Sequence, residues 1–308
     1  MSYNLLNFPT GNFQGRVDTL ENIVDYYRPH LLMVQELQNE DGLNQITDMM
    51  NGLEYGNFAS ADFVQQQSDP FNPYYLQQNI VFDQNYLTLK NQLEIITDIR
   101  DVNYFRLYFN DSELANGADT TYLHVFVTHL KSSSGSANEQ LRLQMVEQFI
   151  SYIENNLDDS DNILFAGDFN LYDTAEPAYQ ALINESNTIV MQDPFASFGN
   201  WAVSNFQHRE ILTQSTRASQ IGNDGAGGGL DDRFDFILFS PAMMNALNPV
   251  HFIEGTFKSL GNNGTCYNQS ITNCTSGNEV PSDVIQSIYY MSDHIPQVCE
   301  IEVVLELG

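Results

Sequence analysis

Basic side chains are the scarcest resource of this 308-residue chain: Lys and Arg total 11 against 40 Asp and Glu, a formal net charge of −29 and a pI near 4.1. Because neutralising phosphates supplies most nucleic-acid affinity, that balance argues against a protein that grips DNA or RNA tightly and statically. It leaves room for an enzyme that turns over a phosphodiester with a metal and a few local cations. An acidic, lysine-poor surface also suits saline surroundings. No apolar run reaches the length that spans a membrane. The opening residues, Met1 to Phe8, read as a core strand rather than a basic and apolar leader, so an export signal is expected to be absent from this chain.

Cysteines number three. Cys266 and Cys274 flank a Gly/Asn/Ser/Thr-rich stretch from Gly261 to Asn278, a surface loop that a disulfide could staple for about 2 to 3 kcal/mol. Cys299, inside the apolar run Val298 to Leu305, reads as a buried thiol. No second Cys or His pair accompanies them, which excludes a zinc site of ordinary spacing. A bridge implies an oxidising compartment, so a secreted or periplasmic location is expected. The Gly-rich stretch Gly222 to Gly229 lacks the Lys-Ser/Thr of a P-loop and reads as a surface loop. The turn Asp158-Asp159-Ser160-Asp161 could take a structural Ca²⁺ but lacks the glycine and terminal Glu of an EF-hand loop.

What is plentiful is apolar and aromatic, 42% and 12% of the chain, enough for a sizeable core in one domain over residues 1–308. Strand-like and helix-like patterns alternate. Ser2 to Phe8 is a strand, and Gly15 to Arg28 puts Val17, Leu20, Ile23, Val24 and Tyr27 on one helical face before Pro29 stops it. Leu31 to Val34 and the helix Asp41 to Met50 follow. Strands are expected at Asn79 to Phe82, Leu93 to Ile99, Tyr104 to Phe109, Tyr122 to His129, Ile163 to Ala166, Phe234 to Phe239 and Val298 to Leu305, with a long helix from Asn138 to about Asn156.

The chemistry sits at strand ends. In Gly167-Asp168-Phe169-Asn170 an Asp and an Asn at alternate positions leave a buried strand on the same side. Ser292-Asp293-His294 adds an oxygen ligand and a titratable imidazole. Asn4 interrupts the first strand, Glu36 ends the second, and His129 ends another before Leu130-Lys131-Ser132. Asp235 lies within an apolar strand, a costly place for a carboxylate unless an imidazole pairs with it. Phosphodiester hydrolysis needs this set: oxygen ligands for a hard divalent cation, a group to activate water, and donors for the phosphoryl oxygens.

These motifs, in this order, resemble the endonuclease/exonuclease/phosphatase superfamily with its deoxyribonuclease I-like fold: Tyr3-Asn4-Leu5-Leu6-Asn7, Val34-Gln35-Glu36, Thr128-His129-Leu130, Gly167-Asp168-Phe169-Asn170, Arg233-Phe234-Asp235-Phe236-Ile237-Leu238 and Ser292-Asp293-His294. The resemblance implies an α/β fold, a four-layer α/β sandwich of two packed mixed β-sheets flanked by helices. It implies Glu36 as principal Mg²⁺ or Mn²⁺ ligand with Asn4 and Asp293 beside the metal. Asp168 would position or deprotonate water, Asn170 and His129 would bind the scissile phosphate, and His294 would act on phosphate or water with Asp235 fixing its tautomer. Lys131, Arg142 and Arg233 fall in or just behind these motifs and are the expected phosphate-binding cations. The expected activity is that of a metal-dependent phosphodiesterase, a secreted monomeric nuclease. A phosphomonoesterase on nucleotides or sugar or inositol phosphates, and a sphingomyelinase-like lipid phosphodiesterase, stand as alternatives on the same scaffold. A binding module on a decayed site, or a Ca²⁺-loaded structural protein, would leave the complete set of acids and histidines idle.

Overall fold

The computed structural model describes residues 1–304 except 12–14, 69–75, 113, 115–118, 196–198, 202, 204–205 and 223. In chain order the elements are β1 (Ser2–Phe8), α1 (Arg16–Tyr27), β2 (Leu31–Leu37), α2 (Glu40–Gly52), β3 (Phe58–Ser60), β4 (Gln77–Asp83), β5 (Leu87–Ile95), β6 (Val102–Phe109) and β7 (Tyr122–His129). They continue with α3 (Ser136–Asn156), β8 (Ile163–Asp168), α4 (Pro177–Leu182), β9 (Asp235–Phe239), α5 (Pro241–Met244), β10 (Val250–Phe252), β11 (Lys258–Ser259), α6 (Ser282–Met291), β12 (Gln297–Val298) and β13 (Ile301–Val303).

Two large mixed sheets result, ordered β11-β12-β1-β2-β4-β3 and β5-β6-β7-β8-β9, with a small β10-β13 ribbon beside them. The parallel pairs β1/β2 and β7/β8 lie in the middle, and their sequences are accordingly apolar on both faces. β1 and β2 face β7, β8 and β9 across the interface, α1, α2 and α6 cover the first sheet, and α3 and α4 cover the second. Phe149 of α3 stacks on Phe165 of β8 at 3.8 Å between ring centroids, which locks that outer layer to its sheet. This is the four-layer sandwich expected from the sequence.

Local chemistry explains the element ends. Asn39 caps α2 by accepting from the Gly42 amide at 2.9 Å. Arg28 closes α1 in a left-handed conformation, φ 54°, with its amide on the Val24 carbonyl. Several boundaries differ from expectation. The strand expected from Leu93 to Ile99 begins at Leu87 and ends at Ile95, because Thr97 is drawn into side-chain bonds with the backbone of Ile99 and Arg100. The closing run breaks into β12 and β13, which join different sheets, and Leu305 lies outside the described residues. Helix α6, with Val284, Ile285, Ile288 and Met291 buried at helical spacing, is an addition to the sequence reading.

Cys266 and Cys274 are joined in a disulfide with Cα atoms 5.0 Å apart. Cys299 is free and half-buried rather than fully buried, with its thiol pushed up to about 11 by burial. Asp161 closes the acidic turn by accepting from the Asp158 amide, and it lies 3.7 Å from His124.

His124 gives the fold an acid-sensitive point. Burial pushes its pKa down to about 4, and its Nδ1 is bonded to the Tyr104 hydroxyl at 2.6 Å. The unfolded imidazole titrates near its ordinary value of about 6.5, so between these values the unfolded chain binds the extra proton. Stability from this group is therefore complete above that ordinary value and is lost as the pH falls through the window, by about 3 kcal/mol at most. Urea unfolding at both ends of the window should show a larger acid loss for wild type than for His124→Gln. Equal losses would remove the imidazole from the account.

Candidate active site

The carboxyl ends of β1, β2, β7 and β8 converge, and the start of β9 meets them because β9 runs antiparallel to β8, with Asp235 opposite Asp168. Asn4, buried within β1, donates from Nδ2 to Glu36 Oε1 at 3.1 Å and to Asp168 Oδ2 at 3.0 Å. Its Oδ1 accepts from the Leu6 amide, so the amide nitrogen faces both carboxylates and orients them. Glu36 Oε2 accepts from the Asn7 amide at 3.0 Å. His129 Nε2 lies 3.5 Å from Asp168 Oδ2 and 3.9 Å from Glu36 Oε1. His294 Nδ1 lies 2.8 Å from Asp235 Oδ2, and its Nε2 lies 3.6 Å from Asp168.

The backbone is forced into this arrangement. Leu6, Asn7, Glu36 and Asn170 all have positive φ, between 50° and 59°. In β2 the residue at this conformation breaks the ladder, and the pairing with both neighbours shifts register between Val34 and Leu37. Left-handed non-glycine residues cost of order 1 kcal/mol each and persist where the surroundings over-determine them, which is common where side chains must be aimed.

Burial sets the protonation pattern. Asp168 is pushed up to about 7 by burial, with Asp235 and Glu36 adding to the rise and His294 opposing it. Glu36 is raised by burial and then by Asp293. His129 falls well below the ordinary range through burial and the charges of Arg100 and His294. At His294 burial also disfavours the charge, yet Asp235, Asp168 and Asp293 outweigh it and hold the imidazole protonated well above its usual pKa. The two histidines are thus driven apart, one neutral and one cationic.

Glu36, His129 and Asp168 each offer a ligand atom within 4.8 Å of the others, as do Asp168, Asp235 and His294. The donor set suits a hard divalent cation: carboxylate oxygens whose pKa burial raises, so that a bound cation would favour their charged form. Asp293 stands in neither group. Its Oδ2 accepts from the Gln214 side chain at 3.0 Å and the Ala226 amide at 2.6 Å, while its buried Oδ1 has no partner. Asn170 spends one amide hydrogen on the Leu130 carbonyl at 3.2 Å.

The expected phosphate-binding cations divide. Lys131 is partly exposed just beyond β7. Arg142 is fully buried and paired with Glu176 at 2.7 Å, and Arg233 is fully buried on Asp193 at 2.7 Å. Both guanidiniums serve protein carboxylates, since a buried cation demands one, and the expectation that they bind substrate phosphate is corrected. Two residues escaped the sequence reading. Arg100, half-buried, donates to the carbonyl oxygens of His129 and Leu130 at 3.3 and 2.9 Å. Gln214 spans Asp293 and His294, its Nε2 lying 2.7 Å from His294 Nε2. Neither sits in an apolar strand, so neither has a contrast in the sequence to mark it. The Gly-rich stretch is also more than a surface loop: Asp224 accepts from Asn7, and a Cβ added at Gly225 would come 3.0 Å from Asp293 Cγ.

The sequence profile described as the Endonuclease/Exonuclease/phosphatase family matches residues 1–294. No protein with a curated description matches the chain. Among solved structures, the human Nocturnin catalytic domain with bound sulfate anion is similar at 14% identity and a TM-score of 0.60, covering 97% of this chain and 92% of that one. D. rerio TDP2 complexed with single strand DNA product is similar at 16% identity and 0.58, covering 98% and 97%. The endonuclease/exonuclease/phosphatase from Bacteroides vulgatus gives 14% identity and 0.58, with the same coverage of 98% and 97%. At these identities the likeness is one of fold.

Proposed function

Since this chain belongs to the endonuclease/exonuclease/phosphatase family of phosphoester hydrolases, we propose that it is a divalent-metal-dependent phosphodiesterase working as a nuclease outside the cytosol. The observation that carries the reading is the sharing of Asp168 among Asn4, His129 and His294, with Glu36 alongside. The Cys266–Cys274 bridge supports the location, because disulfides persist in oxidising compartments.

Glu36 would hold Mg²⁺ or Mn²⁺, with Asn4 keeping its carboxylate aimed. Bound there, the ion would offset phosphoryl charge and acidify water. Asp168, within reach of Asn4, His129 and His294, takes the proton of the attacking water. Neutral His129 and the remaining Asn170 amide hydrogen donate to phosphoryl oxygens. Protonated His294, fixed by Asp235, supplies a proton or a charged hydrogen bond on the other side.

Incubation with supercoiled plasmid in Mg²⁺ should give nicked circles, abolished by EDTA and restored by added metal. Phosphate release from nucleotides or sugar phosphates with the plasmid left intact would replace this reading with the monoesterase alternative. Nicking that persists in EDTA would remove the metal from it.

A further inference from the structure

All eleven basic residues fall among the described residues, so every cation of the chain can be placed. Arg28, Arg142 and Arg233 are bonded to Asp25, Glu176 and Asp193. Arg16 and Arg217 are buried donors to backbone carbonyls. Arg106 lies over Tyr122, at the start of β7 and so at the far end from His129, and Arg209 lies over Tyr267. Lys258, on β11, pairs beside the strand position that adjoins Ser2, at the end of the first sheet away from the cluster. Lys90 is exposed on β5, alongside the Arg106–Leu107 stretch of β6 rather than the Val102 end.

That leaves Arg100 and Lys131. They flank one side of the cluster: Arg100 is held on the carbonyls of His129 and Leu130 and lies within the electrostatic reach of Glu36 and Asp168, and Lys131 follows Leu130 with its Nζ on the Ser132 carbonyl. On the other side stand Asp293, Asp224 and Asp232, the last pushed up to about 7 by burial and Asp231; Arg16 and Arg217 lie within electrostatic reach of the first two but are buried and bonded to backbone carbonyls, so they are closed to substrate. The approach is therefore polarised, cationic beside His129 and acidic beside Gln214.

Resting on the phosphodiesterase reading above, we propose that, beyond the ion and His294 at the scissile phosphate, Arg100 and Lys131 are the only Lys or Arg side chains that grip substrate, so that the enzyme takes compact phosphodiesters through about two phosphates and gains nothing from a longer strand. Each further phosphate of a polymer would meet no accessible cation beside the cluster, since Arg16 and Arg217 are buried, and on the Gln214 side it would meet carboxylates. Length therefore brings no affinity, and the salt dependence is shallow.

The test compares a dinucleotide carrying a terminal phosphate, and so two phosphates in all, with a long single strand, at fixed metal concentration, across a salt series. Per scissile bond, kcat/KM should be equal within about threefold, and the slope of log kcat/KM against log salt should be about −1.4, a fall of about sevenfold from about 50 to about 200 mM. Lys131→Gln should halve the slope, and Arg100→Gln with Lys131→Gln should flatten it. Lys131→Gln alone keeps the test sharp if the loss of Arg100 unsettles the β7 end. A slope steeper than about −4, or a tenfold advantage for the long strand, overturns the inference while leaving the phosphodiesterase reading intact. Failure of the wild type to cleave either diester would instead defeat that reading.

Discussion

His294→Ala is expected to lower kcat by about 10² to 10⁴, the range for removing a positioned acid or base, and Asp235→Asn should fall nearly as far while leaving the fold intact. The second variant is the more informative. Asp235 Oδ2 holds His294 Nδ1 at 2.8 Å, whereas its buried Oδ1 has no partner. The asparagine Oδ1 can keep the contact with His294 Nδ1, so the geometry survives and the charge goes, while its amide N–H groups enter a buried place with no partner at a cost of about 1 to 3 kcal/mol. Asp235 is among the carboxylates that raise the His294 pKa; without it the protonated imidazole is lost at a lower pH. The alkaline limb of kcat/KM should therefore move to lower pH in Asp235→Asn, with urea unfolding showing a loss of no more than about 3 kcal/mol. Near wild-type turnover in both variants would remove the pair from the mechanism.

Gly167→Ala is the substitution expected to damage the fold most. Gly167 has a φ of 142°, and a Cβ there would stand 1.9 Å from the Thr128 carbonyl oxygen of the neighbouring strand. That oxygen belongs to the β7/β8 ladder, where Thr128 pairs with Gly167 and His129 with Asp168. Strain and overpacking of about 1 to 3 kcal/mol each give a loss of about 2 to 6 kcal/mol, a fall of about 3 to 9 °C in Tm for a chain of this size. Pushing β8 away from β7 also displaces Asp168, so activity should fall even at temperatures where the variant stays folded. Calorimetry showing a Tm within about 2 °C of wild type would contradict the close approach.

The sequence is most legible where chemistry interrupts hydrophobicity. Glu36, Asp168, Asp235 and His129 each break an apolar strand, and a strand interior is the one place where a polar residue stands out. The structure brings all of them to one end of the sandwich. Arg142 and Arg233 show the reverse failing: their sequence positions beside site motifs say nothing about Glu176 and Asp193, the carboxylates that claim them across the fold. Gln214 and Arg100 lie in connecting segments without periodicity, where only the packed chain reveals what a side chain touches. The same holds for Asp293, whose neighbours are a glutamine far back in the chain and a loop amide.

Asn4 and Glu36 come from one sheet, while His129, Asp168 and Asp235 come from the other. No half of the molecule owns the chemistry, and the Asn4 to Asp168 bond is itself a seam between the two. Any repacking of the apolar side chains between the layers shifts Asn4 against Asp168, so the hydrophobic seam sets the alignment of the carboxylates as directly as their own hydrogen bonds do.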